Sequence, residues 1–157
     1  MKGPLIAING RFLNREVTGV QRYAVEMVSR LVRLRRNYQI VVVAPRGKLF
    51  SEVPNLLQDN FPIDGNLWEQ LRLPWLLKKI GADLLWCPGF TAPLMNFGVP
   101  LVVTLHDAAM FAGPEWFTPA FTLYYRFLVP LVGRIACNGS STSDDSPSFS
   151  LNGVKPQ

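Results

Sequence analysis

Between Leu5 and Ala44 the chain runs strand, helix, strand, and that order constrains the fold more than any other feature. Leu5 to Ile8 is a short apolar run that Asn9-Gly10 ends. Val20, Tyr23, Ala24, Met27, Val28 and Leu31 then fall at helical spacing, with arginines and Glu26 on the opposite side. Gln39 to Ala44 is a second apolar run, stopped by Pro45. Strands joined through a helix lie parallel in one sheet. The fold class is therefore α/β, an open parallel sheet with flanking helices.

The rest of the chain extends this plan. Residues 45–65 read as a long connection containing Pro54, Pro62, Asp64 and Gly65. Asn66 can cap a helix through Leu67, Trp68, Leu71, Trp75 and Lys79, divided near Pro74 and ended by Gly81. Asp83 to Trp86 is a brief strand, and Cys87-Pro88-Gly89 turns the chain. Leu101 to Leu105 is a further strand, which stops at the only histidine, His106, followed by Asp107. Thr118-Pro119 starts a helix that runs to about Ile135 and is apolar nearly all round. From Asn138 a Ser/Asp-rich stretch contains nothing that can pack into a core. Residues 1–136 form one domain, and residues 137–157 an irregular tail.

Charge and rare residues narrow the function. The net charge is +5, and residues 1–136 hold 15 of the 16 Lys and Arg against 9 of the 11 acids. Arg22, Arg30, Arg33, Arg35 and Arg36 crowd one region, which suits a phosphate, a nucleotide or an anionic membrane surface, or simply forms a solvated helix face. Two cysteines, Cys87 and Cys137, make no metal-type spacing and no disulfide framework, so a reducing cytoplasm is the default. One histidine excludes a His-rich metal site. The N-terminus is not a signal peptide, and Arg126, Pro130 and Gly133 interrupt the longest candidate for a membrane span.

Several residues can carry chemistry. Gly19, where a helix begins after a strand, lets backbone N–H groups approach a phosphate, with Arg22 beside it; simple turn geometry also explains such a glycine. The G-x-G-x-x-G fingerprint is absent, which argues against a dinucleotide dehydrogenase. His106 can exchange a proton or hydrogen-bond a sugar hydroxyl near neutral pH, or be a satisfied histidine at a strand end. Asp107 need not touch its ring, because adjacent residues of a strand point to opposite faces. Glu69 sits beside Trp68, whose ring can stack on a sugar or pack in the core. Glu115 and Trp116 have the same two readings.

Taken in order, Ile8-Asn9-Gly10-Arg11-Phe12, Thr18-Gly19-Val20-Gln21-Arg22-Tyr23, Leu67-Trp68-Glu69-Gln70 and Val102-Val103-Thr104-Leu105-His106-Asp107 carry a resemblance, continued by Phe117-Thr118-Pro119 and Tyr124-Tyr125-Arg126. Over residues 4–136 the chain resembles the N-terminal half of the family-four (group 1) glycosyltransferases of GT-B fold. The match is closest to bacterial members that build polysaccharide and O-antigen chains, mannosyltransferases among them. The resemblance implies two Rossmann-like domains facing across a cleft, of which this one holds a glycan or lipid-linked saccharide acceptor. It places the donor diphosphate near Gly19 and Arg22 and the transferred sugar at His106; Asp107 stands beside His106 as a catalytic candidate, and Trp68 and Glu69 beside Gly19 and Arg22 as candidates for donor-phosphate or acceptor binding. Transfer retains anomeric configuration, with a nucleotide-sugar as co-substrate and neither cofactor nor obligatory metal. No nucleic acid partner is implied.

The chain departs from the family after Ile135, where another strand is expected and the Ser/Asp-rich stretch stands instead. A pair of compensating frame changes around residues 137–150 would produce that pattern. With no donor-binding domain within the sequence, the expectation is a protein inactive alone, with an exposed sheet edge and poor stability. Two alternatives stand beside it. One is a non-catalytic module that pairs with a separate donor-binding subunit. The other is a peripheral protein at the inner face of the membrane, using the basic helix of residues 20–36.

Overall fold

The computed structural model describes residues 3–34, 37–89, 91–104, 106, 131 and 134. Five strands occur among them: β1 (Leu5–Asn9), β2 (Gln39–Ala44), β3 (Leu56–Gln58), β4 (Leu84–Cys87) and β5 (Leu101–Val103). All are parallel and lie in the order β3-β2-β1-β4-β5. The chain thus winds outward from β1 in one direction, returns, and winds outward from β4 in the other. The expected α/β open parallel sheet is present.

Register explains why the strands read as unbroken apolar runs. Ala7 lies level with Val41 and Leu85, while Ile8 lies level with Val42 and Trp86. The first set joins a core with Trp68, Leu73 and Leu77, and the second a core with Leu13, Ala24 and Val28. Both sheet faces are therefore covered, as parallel sheets require. Helix α1 (Gly19–Arg33) supplies Ala24 and Val28 to one core. The other is covered by α2 (Gly65–Leu67), a π-helical turn (Trp68–Arg72) and α3 (Leu73–Ile80).

The wide turn has a cause in the sequence. Pro74 cannot donate a backbone hydrogen bond, and a proline ring crowds the carbonyl one turn behind it. The chain relieves this just before the proline, where the Leu73 N–H reaches the Trp68 carbonyl instead of the usual partner four residues back. Gly81, at φ 67°, then closes α3 in the left-handed conformation expected of a terminating glycine.

Two local expectations are corrected. Residues 45–65 are not all connection, since β3 pairs with β2 inside them. Asn66 does not cap the helix: Asp64 occupies the N-cap position, and Asn66 lies within α2. The helix expected from Thr118 to Ile135 and the tail 137–157 lie outside the described residues, apart from Leu131 and Arg134.

Asp59, just after β3, ties this edge to the helix. Its Oδ2 accepts from Trp68 Nε1 at 3.0 Å and Arg72 Nε at 2.9 Å, and its Oδ1 from Arg72 Nη2 at 3.3 Å. Burial pushes the Asp59 carboxyl up, but the bonds from Arg72 and Trp68 and the Arg72 charge outweigh it and hold the group below its ordinary value. A lowered folded value stabilises the protein above the unfolded carboxylate range, and that contribution disappears as pH falls through the folded value. We expect part of the stability lost below about pH 4 to vanish in Asp59→Asn, whose acid limb in a pH series of urea melts is shallower. An unchanged acid limb would refute the assignment.

Candidate functional site

In an open α/β sheet, ligands bind beyond the carboxyl ends of the strands where the winding reverses. Here that point lies between β1 and β4. A cleft of about 190 Å³ opens there, lined by Asn9 at the end of β1, by Arg11, Phe12 and Arg15 after it, by Val20 and Gln21 of α1, by Glu69, and by Pro88, Gly89 and Thr91 after β4.

The floor is a network of buried polar groups. Asn9 ends β1 and caps the short 3-10 turn that follows, its Oδ1 accepting from the Arg11 N–H at 3.2 Å. That fixes the amide, so Asn9 Nδ2 donates to Glu69 Oε1 at 2.6 Å. Arg11 Nη1 donates to Glu69 Oε2 at 2.6 Å and to Thr91 Oγ1 at 3.0 Å, while Arg11 Nη2 donates to Asn66 Oδ1. The Thr91 hydroxyl in turn donates to Glu69 Oε1 at 2.9 Å. Glu69 is fully buried and Arg11 nearly so. One carboxylate thus joins three segments that lie far apart in the chain: the loop after β1, the π-helical turn, and the loop after β4.

The same floor encloses the Cys87 thiol. Burial first, and the neighbouring Glu69 charge second, push it well above the ordinary thiol range, although Asn9 Nδ2 points at its sulfur from 3.6 Å.

The walls come from α1 and from the loop after β4. Gln21 Oε1 accepts from the Thr18 N–H at 3.1 Å and from the Thr18 hydroxyl, which fastens the start of α1. Gly19 has no positive φ, and a Cβ placed there would meet nothing within 4 Å. Turn geometry therefore does not demand glycine at 19; its effect is to leave the helix N-terminus open to approach. Arg22 is exposed and outside the cleft lining, whereas Arg15 is within it. His106 follows β5, and its Nε2–H donates to the Pro88 carbonyl at 2.7 Å. The Tyr23 ring meets the His106 ring edge-on, with centroids 4.8 Å apart. The imidazole is thus braced between α1 and the wall that Pro88 forms.

The structure sorts the residues singled out from sequence. Of these only Glu69 lines the cleft; His106 and Gly19 stand beside it, His106 bonded to the lining residue Pro88 and Gly19 preceding the lining residues Val20 and Gln21. Trp68 does not join them: its ring is fully buried and bonded to Asp59, so it belongs to the core and offers no face to a sugar. Glu69 lies beneath the cleft as part of its floor. Asp107, Glu115 and Trp116 lie outside the described residues. Asn9, Arg11, Arg15, Tyr23 and Thr91 were not singled out as site residues. The available signal was polar residues directly after an apolar strand, and Asn9 and Arg11 show it.

A helix N-terminus and an arginine at a polar cleft, with an imidazole bonded to its wall, suit a hydroxylated or anionic ligand. Among the described residues no group of His, Cys, Asp and Glu is placed to hold a metal, and no helix is long and apolar enough to cross a membrane. The family model for Glycosyltransferase Family 4 matches residues 17–152. No curated protein and no solved structure matches the chain.

Proposed function

The chain belongs to glycosyltransferase family 4, and on that premise we propose that it is the acceptor-side domain of a nucleotide-sugar-dependent transferase of the bacterial polysaccharide type. The observation that carries this reading is the cleft at the sheet's reversal point, with the start of α1 on one side and, on the other, Pro88, to which His106 is bonded. A glycan or lipid-linked saccharide would lie in the cleft, its hydroxyls meeting Thr91, Gln21 and His106. The donor diphosphate would approach the N-terminus of α1, where the helix terminus, Arg15 and Arg22 supply positive charge without a metal.

Transfer needs the acceptor hydroxyl to meet the anomeric carbon as the diphosphate departs. Positioning and charge stabilisation are the contributions this domain can make. The nucleotide itself would be held chiefly by a second Rossmann-like domain, covalently joined or supplied as a separate subunit. Nucleoside diphosphate release that appears only when such a domain is present would support this division of labour.

Acceptor binding tests the reading directly. Calorimetric titration of the chain with an oligosaccharide panel is expected to give saturable binding to at least one member. His106→Ala is expected to weaken that binding by about tenfold, the worth of one well-placed hydrogen bond. Absence of saturable binding across the panel, or full affinity in the variant, would count against it.

A further inference from the structure

The side chains that line the cleft offer more donors than acceptors. Every side-chain oxygen in the lining already accepts a bond. Glu69 Oε1 takes Asn9 Nδ2 and the Thr91 hydroxyl, and Glu69 Oε2 takes Arg11 Nη1. Asn9 Oδ1 accepts from the Arg11 N–H, Gln21 Oε1 from the Thr18 N–H, and Thr91 Oγ1 from Arg11 Nη1. The donors are not matched in the same way. Arg11 is 8% exposed, and its Nε is buried without a partner, although its other nitrogens bond Glu69, Thr91 and Asn66. Among the described residues Arg15 joins no ion pair, and the Gln21 side chain bonds only through its oxygen. A buried donor left unpaired is costly and rare in native proteins. Arg11 lines the cleft, so a ligand seated there is the source of the acceptor it lacks.

Charge narrows the ligand. The lining holds two arginines, Arg11 and Arg15, and one acid, Glu69, which Arg11 already engages. One positive charge is therefore in excess. A sugar hydroxyl donates as well as accepts, and its proton needs an oxygen opposite it. A carboxylate only accepts, and it takes charge-assisted bonds from guanidinium N–H groups at two oxygens. Its single negative charge balances the lining, whereas a phosphate ester carries about 1.5–2 near neutral pH.

We propose that the acceptor is acidic: a uronic acid residue seats its carboxylate against Arg11, Arg15 and the Gln21 amide. Resting on the acceptor reading above, this assignment names what the acceptor carries. Arg22 lies outside the lining and stays with the donor diphosphate.

The test is calorimetric titration of the full chain with oligosaccharides in matched triplets. Each triplet holds a terminal uronic acid, its methyl ester and the neutral hexose counterpart. The acid is expected to bind roughly tenfold tighter than either neutral form, and added salt to narrow the gap. Arg15→Gln, at an exposed position, is expected to bring the ratio close to one while the melting curve stays unchanged. Equal affinity within every triplet would overturn the proposal and leave the acceptor reading intact. No saturable binding by any member would overturn both. An acid preference untouched by Arg15→Gln would also overturn the proposal. So would displacement of the bound acid by inorganic pyrophosphate, which would assign the excess charge to the donor.

Discussion

Glu69→Ala is expected to lower the folding stability of the domain by about 3–5 kcal/mol, because it leaves Arg11 charged, buried and without its counterion. Asn9 and Thr91 lose the same acceptor, so two further donors go unsatisfied. Small domains are stable by only about 5–15 kcal/mol, so the variant should melt at much lower denaturant concentration. Removing both charges separates the pair's worth from the penalty of breaking it. In Arg11→Met/Glu69→Leu most of the loss is expected to be recovered, since buried pairs replaced by apolar residues often cost little. Urea melts of the two variants check this. A Glu69→Ala midpoint within error of the parent would mean that the network is not held as described.

Trp68→Ala is expected to cost a similar amount, about 3–5 kcal/mol, for a different reason. The indole is completely buried among Ala7, Val43, Leu73 and Leu85, and its removal leaves a cavity that the sheet cannot close. Trp68→Phe separates the contributions, since it keeps most of the volume and loses the bond to Asp59. It is expected to lose roughly 1–2 kcal/mol. Were Trp68 a sugar platform on the surface, both variants would keep their stability and lose acceptor affinity instead. Denaturant melts beside acceptor titrations decide between the two, and the burial predicts that the melts move.

These variants touch adjacent residues that the sequence presents as a pair and the structure divides. Trp68 and Glu69 lie in the π-helical turn, yet one completes the apolar core and the other enters the polar floor of the cleft. Helical spacing alone does not assign them, because Pro74 widens the turn in which both sit. The partners of Glu69 are equally remote from local reading. Arg11 is 58 residues away and Thr91 is 22, and no periodicity connects them.

The missed strand shows the same boundary in another form. Leu56–Gln58 is three residues long and sits at the sheet edge with one neighbour, so it carries no alternation to recognise. Its position comes from pairing with Val42, Val43 and Ala44.

What the sequence determined by itself was local. Apolar runs marked four of the five strands, the spacing from Val20 to Leu31 marked α1, and Gly81 and Pro45 marked ends. Each of these signals lies among neighbours a few residues apart, where backbone geometry alone decides the outcome. The side of the sheet on which the cleft opens was also legible, since the parallel plan sends every strand's carboxyl end to the same side. Only the tertiary structure decided the rest: that Glu69 would close a network with Asn9, Arg11 and Thr91, and that Trp68 would turn inward. The reason is physical. Those outcomes depend on which strands become neighbours and which helix side finds a core to cover, and both are settled only when the sheet assembles.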